Sequence, residues 1–319
     1  MNVLANDGIS KAGEKLLVDA GINFLGNRVA QDYLIDFINE NKVDVLLVRS
    51  ATQVRQDLID ACPSLKIIGR GGVGMDNIDV EYAREKGLYV INTPNASSRS
   101  VAEMVFAHFF ALARFLHESN RMMPLEGDTQ FNALKRSYTN AIELTGKTLG
   151  VIGFGGIGKE VVKIGISLGM KVKVLTRSPK TETVSLNFFD GQKVDFNITS
   201  TQNMDEFLAD LDFLSINTPK TNTYIIDAPE FEKMKHGIFI VNTARGGVIN
   251  EVTLIDAIED GKVAGAALDV FENEPSPELP LLMNPSLSLS PHIAGNTLDA
   301  QEKIGAELAE QVIELQTKF

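Results

Sequence analysis

The chain has 319 residues, enough for two domains at about 150 residues each. Lys and Arg total 30 against 42 Asp and Glu, a formal charge of −12, which argues against nucleic acid or an anionic membrane surface as a partner. Apolar residues make up 44% and charged residues 23%, the mix of a soluble globular protein, and the single cysteine, Cys62, closes no internal disulfide, so a reducing, cytoplasmic setting is expected.

The first ten residues, Met1 to Ser10, have neither the basic start nor the apolar run of a signal peptide. Strands are expected near Val3–Asn6, Val43–Val48, Lys66–Gly69 and Leu88–Asn92, with amphipathic helices at Lys11–Ala20, Gln31–Asn39, Gln56–Ala61 and Val80–Lys86. Short apolar strands separated by helices mean a parallel sheet covered on both faces. Cys62, before Pro63 at a helix end, is expected to be a buried apolar filler. A helix over Val101–His117 opens on Ser100-Val-Ala-Glu103, which reads as a capping box. Phe106, Phe109, Phe110, Leu112, Phe115 and Leu116 cover too much of its circumference for a one-sided surface helix, so it is expected in the core or at an interface.

A second series follows. Its strands are expected at Leu149–Gly153, Val172–Leu175, Phe213–Asn217, Ile238–Asn242, Ala264–Leu268 and Leu287–Ser290, with helices at Gly156–Leu168, Met204–Ala209 and Glu251–Asp260. The uncharged stretch Leu279–Leu298 is broken by Pro280, Pro285 and Pro291 and is no membrane span. An amphipathic helix, Ala300–Gln316, closes the chain and by its pattern could pack on either unit. The two α/β units join near residues 92–100.

The run Gly153-Phe-Gly155-Gly156-Ile157-Gly158 is a G-x-G-x-x-G that follows an apolar strand and opens a helix. Gly153 allows the tight turn, Gly155 lets backbone approach a pyrophosphate, and Gly158 allows close packing of helix on strand. The acidic residue expected about 20 residues later is missing, and the next strand ends instead in Thr176-Arg177-Ser178. Thr176 and Ser178 can donate hydrogen bonds and Arg177 can pair with a phosphate, so the cofactor is expected to be NAD or NADP, with the preference open.

Arg245, Glu274 and His292 each follow the C-terminal end of an expected strand, where open α/β sheets bind ligands. Three such groups downstream of a dinucleotide fingerprint mark a catalytic candidate, and the family resemblance of the segments below implies oxidation of a 2-hydroxy acid. His292 would be the base for the hydroxyl proton, Glu274 would fix its ring, and Arg245 would clamp the carboxylate and polarise the C2 oxygen. No metal is expected.

The segments Asn242-Thr-Ala-Arg-Gly-Gly-Val-Ile249, Ala267-Leu-Asp-Val-Phe-Glu-Asn-Glu-Pro275 and Ser290-Pro-His-Ile-Ala-Gly295 resemble signatures of the D-isomer-specific 2-hydroxyacid dehydrogenases. Asn92-Thr-Pro94 and Val101-Ala-Glu103 resemble that family's crossover between domains. Val48-Arg-Ser-Ala-Thr52 and Ile68-Gly-Arg-Gly-Gly-Val-Gly-Met-Asp-Asn-Ile-Asp79 resemble its branch acting on D-3-phosphoglycerate, in the short form without further C-terminal domains. The resemblance implies an α/β fold of two doubly wound parallel-sheet domains. Residues 1–98 and 293–319 would form a flavodoxin-like substrate domain, and 99–292 a Rossmann-type dinucleotide domain. It places Asp269 near the nicotinamide and Val73, Thr218, Thr243, Ala244 and Gly295 along the dinucleotide. Arg49, Ser50, Arg70, Gly71 and Gly72 would hold a second anionic end of the substrate, with Arg245 and His292 at the reacting end. The three arginines would then face one cleft, a local positive field on an acidic protein. A homodimer is implied. An NADPH-dependent glyoxylate/hydroxypyruvate reductase of the same family remains open, favoured by the Thr176-Arg177-Ser178 turn. So does a non-catalytic nucleotide-sensing protein of the same fold. A formate dehydrogenase is disfavoured by Glu274.

Overall fold

The computed structural model describes residues 1–319. They fall into two compact units, Met1–Ser98 with Gly295–Phe319, and Arg99–Ala294.

The first unit begins with β1 (Asn2–Ala5), α1 (Lys11–Asp19), β2 (Asn23–Leu25), α2 (Gln31–Glu40), β3 (Val45–Val48), α3 (Gln56–Ala61), β4 (Ile67–Arg70), α4 (Val80–Glu85) and β5 (Tyr89–Asn92). All five strands are parallel in the order β2-β1-β3-β4-β5, the flavodoxin-like arrangement with its switch point between β1 and β3. Every residue of β3, Val45-Leu-Leu-Val48, is buried, as a strand covered by helices on both faces requires. The short edge strand β2 was not foreseen, because Asn23-Phe-Leu25 is neither an apolar run nor an alternation of useful length. Cys62 is buried, and burial pushes its thiol up to about 11, as suits a filler rather than a nucleophile.

The second unit holds most of α5 (Ser98–Ala113), then α6 (Leu116–Glu126), α7 (Phe131–Ser137), β6 (Thr148–Ile152), α8 (Gly156–Ser167) and β7 (Lys171–Leu175). It continues through β8 (Thr181–Asn187), β9 (Lys193–Thr199), α9 (Met204–Leu208), β10 (Phe213–Ile216), α10 (Ala228–Lys233) and β11 (Ile238–Asn242). It ends with α11 (Glu251–Glu259), β12 (Val263–Leu268), α12 (Leu279–Met283) and β13 (Leu287–Leu289). Six strands are parallel in the order β13-β12-β11-β10-β6-β7. The order reverses between β6 and β10, the Rossmann switch point. Beyond β7, where a third strand of that half would stand, there is only a single parallel bridge, Leu175 to Thr201. The segment between folds instead into the antiparallel β8–β9 hairpin.

The expected helix Val101–His117 is corrected in two ways. It starts at Ser98, so Ser100 lies inside the first turn rather than before it, and Glu103 accepts from Arg99 Nε at 2.7 Å. It stops at Ala113 because Phe115 adopts a left-handed backbone (φ 52), after which α6 begins. Phe106, Phe109 and Leu112 are buried, and Phe109 packs edge-on to Phe213 at 5.1 Å. Phe110 and Leu116 are exposed.

The closing helix α13 (Leu298–Gln316) packs on the first unit, where Ala309, Val312 and Leu315 join Val3, Leu17 and Val45 in one core cluster. No helix is long and apolar enough to cross a membrane.

Candidate active site

The turn after β6 does what its glycines require. Gly153 has φ 92, and a Cβ there would stand 2.5 Å from the Asn217 carbonyl oxygen, so the turns after β6 and β10 touch at the switch point. A Cβ on Gly158 would stand 2.1 Å from the Gly153 oxygen, whereas one on Gly155 meets nothing within 4 Å. The helices α1, α9, α11 and α13 are capped by Ser10, Asn203, Asn250 and Thr297, but α8 opens on Gly155 with no capping side chain. Its first amides, at Gly156 and Ile157, thus have no side-chain cap at a positive helix end. Past β10 and β11, the hydroxyls of Thr218 and Thr243 are buried without a partner. Such orphaned groups are expensive in a finished interior and are expected where a ligand completes them. These residues fit a dinucleotide.

At the end of β7 the Thr176 hydroxyl donates to the Ser178 carbonyl at 2.9 Å and lies 2.7 Å from Ser200 Oγ. Arg177 and Ser178 are exposed.

Behind β11, Asn242 shapes the next loop: its Nδ2 donates to the Arg245 carbonyl at 3.0 Å and its Oδ1 accepts from Ala244 N at 3.0 Å. Ala244 is buried and Arg245 half-buried. This loop lies against the one after β12, since a Cβ on Gly246 would fall 1.8 Å from the Phe271 oxygen. In that second loop, Glu274 Oε1 accepts from Phe271 N at 3.0 Å, and Oε2 lies 2.8 Å from His292 Nδ1. Three strand-end loops thus bring Arg245, Glu274 and His292 to one edge of the sheet, and the imidazole is about half exposed.

His292 has φ 54, a left-handed conformation costing a non-glycine residue about 1 kcal/mol or more. Asp269, directly after β12, offsets it. Its carbonyl accepts from His292 N at 2.8 Å, Oδ1 from Ile293 N at 2.9 Å, and Oδ2 from Ala294 N at 2.9 Å. Asp269 is fully buried, and its carboxylate holds the histidine loop.

With the fold and this edge described, the comparisons with known proteins become informative. Residues 106–294 match the model of the D-isomer specific 2-hydroxyacid dehydrogenase NAD binding domain. The chain belongs to that family. Its members are NAD(P)-dependent oxidoreductases of D-2-hydroxy acids. The chain is 39% identical to a hydroxypyruvate reductase of Thermotoga maritima, covering 97% of this chain and 96% of that one. It is 37% identical to a D-3-phosphoglycerate dehydrogenase of Methanocaldococcus jannaschii over 98% of its own length, but spans only 57% of that relative. A solved glyoxylate reductase of Paecilomyes thermophila, 29% identical, superposes with a TM-score of 0.81 over 98% of this chain and 94% of that one.

In the first unit, Asp7 stands after β1 and bridges to the loop after β3 at that sheet's switch point. Its carboxylate accepts from Arg49 N at 2.7 Å, Thr52 N at 3.1 Å and Thr52 Oγ1 at 2.8 Å. Asn77 Nδ2 donates to the carbonyls of Arg49 and Thr52 at 2.8 and 2.6 Å. The Arg70 guanidinium folds over Gly72, whose Cβ would stand 2.1 Å from its Nη1, and a Cβ on Gly71 would stand 3.5 Å from Arg49 Cγ. Both arginines therefore flank the Gly71–Gly72 turn, with Ser50 exposed beside Arg49. Val73 is in the same turn, its carbonyl accepting from Asn92 Nδ2 at 2.8 Å, and Gly295 belongs to this unit too.

Two groups near the site had no sequence signal. Glu251 and Glu272 clasp each other's backbone: Glu251 N donates to Glu272 Oε1 at 3.1 Å and Glu272 N to Glu251 Oε1 at 2.8 Å. Burial and the neighbouring Glu272, Glu278 and Glu274 push the Glu251 carboxyl up to about 7. His108 and Ser290 were also missed. Each of these pairs is far apart in sequence and meets only through the sheet.

Proposed function

We propose that the protein interconverts D-3-phosphoglycerate and 3-phosphooxypyruvate with NAD or NADP. The observation that carries the oxidoreductase chemistry is the 2.8 Å contact of His292 Nδ1 with Glu274 Oε2. With Nδ1–H donated to the carboxylate, Nε2 keeps its lone pair and takes the proton of the C2 hydroxyl. Arg245 holds the substrate carboxylate and draws charge from the C2 oxygen as it becomes a carbonyl. A bound nicotinamide would supply the hydride acceptor for the C2 hydrogen. Gly155, Gly156 and Ile157 would offer amides to its pyrophosphate, and Thr218 and Thr243 hydroxyls along the dinucleotide.

The choice of phosphoglycerate rests on Arg49 and Arg70, which flank one glycine turn and suit a second anionic group. A hydroxypyruvate or glyoxylate reductase is the second reading. It is favoured by the Thermotoga maritima relative, matched over nearly its whole length, and by Arg177 in place of an acidic residue. The deciding experiment compares kcat/KM for phosphoglycerate oxidation with that for hydroxypyruvate and glyoxylate reduction, each with both cofactors. Phosphoglycerate turnover at least comparable with the others supports the first reading. No phosphoglycerate activity beside efficient hydroxypyruvate reduction replaces it with the second. Cofactor binding with no turnover on any 2-hydroxy acid points to a sensing protein.

The exposed apolar residues Phe110, Leu116, Leu125 and Phe131 of α5–α7 support a homodimer. Sedimentation giving twice the chain mass is the expected result, and a monomer at micromolar concentration would remove it.

A further inference from the structure

Behind the histidine loop lies a run of buried polar groups that the proposed chemistry leaves unused. His108, on α5, is buried. Its Nδ1 lies 3.0 Å from Ser288 Oγ and its Nε2 3.1 Å from Ser290 Oγ. Ser290 Oγ in turn donates to Asp269 Oδ1 at 2.6 Å. With its proton committed to a carboxylate, the Ser290 oxygen accepts from Nε2–H of His108. Burial holds the imidazole below its usual range, so it is neutral, and Nδ1 accepts from the Ser288 hydroxyl. Every donor and acceptor in the run then has one consistent direction, from Ser288 through His108 and Ser290 to Asp269.

The end of this run is the residue that holds the backbone of His292, Ile293 and Ala294. Ser290 stands two residues before His292. A serine hydroxyl rotates freely unless a second partner fixes it, and His108 is that second partner. We propose that His108 is a positioning residue for His292, setting the Ser290 rotamer and thereby the Asp269 clamp on the histidine loop. It touches neither substrate nor cofactor in this role, and the role rests on His292 being the base. A buried, fully satisfied network of this kind fixes one arrangement of the groups it joins.

The test begins with amide hydrogen exchange of the full chain. In His108→Leu, the Ile293 and Ala294 amides are expected to exchange at least tenfold faster, with Val241 and Ala267 in the same sheet unchanged. His108→Gln, which can still place an N–H near Ser290 Oγ, is expected to stay within about threefold of wild type. Ser290→Ala cuts the run at its middle and is expected to behave like His108→Leu, so it carries the test if that variant does not fold. With hydroxypyruvate and NADPH, His108→Leu is expected to lose about tenfold in kcat at unchanged KM for NADPH. Unchanged exchange at 293–294 in the folded variants overturns the proposal. So does acceleration spread equally over the unit, which would make His108 an ordinary core residue. If the wild type turns over no 2-hydroxy acid, the proposed function fails while the exchange result still decides whether His108 positions the loop.

Discussion

His292 holds its side chain against Glu274 on a left-handed backbone, and that pairing defines what its other nitrogen can do. Removing the imbazole ring's proton acceptor by His292→Ala is expected to lower kcat by roughly 10²–10⁴-fold, the usual range for general acid–base catalysis, while cofactor affinity by fluorescence titration stays near wild type. Retained kcat would remove His292 as the base. At the end of β7, Thr176 donates to the Ser178 carbonyl and Arg177 is exposed beside it, the charge that under the proposed reading would meet a 2′-phosphate. Arg177→Ala is expected to raise Kd for NADP about tenfold and leave that for NAD within about twofold, since one charge-assisted hydrogen bond is worth about 1.5–3 kcal/mol. Equal weakening of both cofactors would sink the assignment. The residues of this edge were legible in sequence because each follows its own strand. The clamp that Asp269 places on the histidine loop was not legible, because its partners are a serine hydroxyl and two amides more than twenty positions away.

Among the elements, the long apolar strands and the amphipathic helices lay close to where their patterns put them, and the failures share a cause. The α5–α6 break depends on one backbone angle at Phe115, and β2 exists only because β1 offers an edge to pair with. Neither leaves a periodicity. A second left-handed residue gives a prediction at this scale. Lys42, just past the end of α2, has φ 47 and an exposed side chain. Glycine enters that conformation without the steric cost borne by residues with a Cβ. Lys42→Gly is expected to stabilise the first unit by about 0.5–1 kcal/mol, read as a rise in the urea midpoint. An unchanged or lower midpoint would show that the conformation carries no net strain.

At the scale of the whole molecule, a charge of −12 must be reconciled with anionic ligands, and the reconciliation is local. Arg49 and Arg70 flank one turn in the first unit, while Arg245 and the uncapped start of α8 lie at strand ends of the second. The acidic excess also shapes stability. The Glu251 carboxyl, raised from 4.5 to about 7 in the fold, binds its proton more tightly there than in the unfolded chain. Its contribution is therefore fully present below pH 4.5 and is lost as pH rises through about 7. Glu251→Gln keeps the oxygen that accepts from Glu272 N and removes the charge. The variant is expected to be more stable than wild type at pH 8, with the gap closing toward pH 5 in urea titrations. A gap that is the same at both pH values would show that Glu251 is not titrating in this window. His108, lowered by burial, acts in the opposite sense: its contribution is present above about 6.5 and lost as pH falls. By itself the sequence determined the two strand–helix series, the glycine-rich turn after β6 and the three residues at strand ends, because each is a local pattern of apolar spacing, glycine or loop position. Only the tertiary structure decided that Asp269 clamps the histidine loop, and that Glu251 meets Glu272 and His108 meets Ser290. Those pairings join distant segments, and it is burial against the folded sheet that brings them within hydrogen-bond reach.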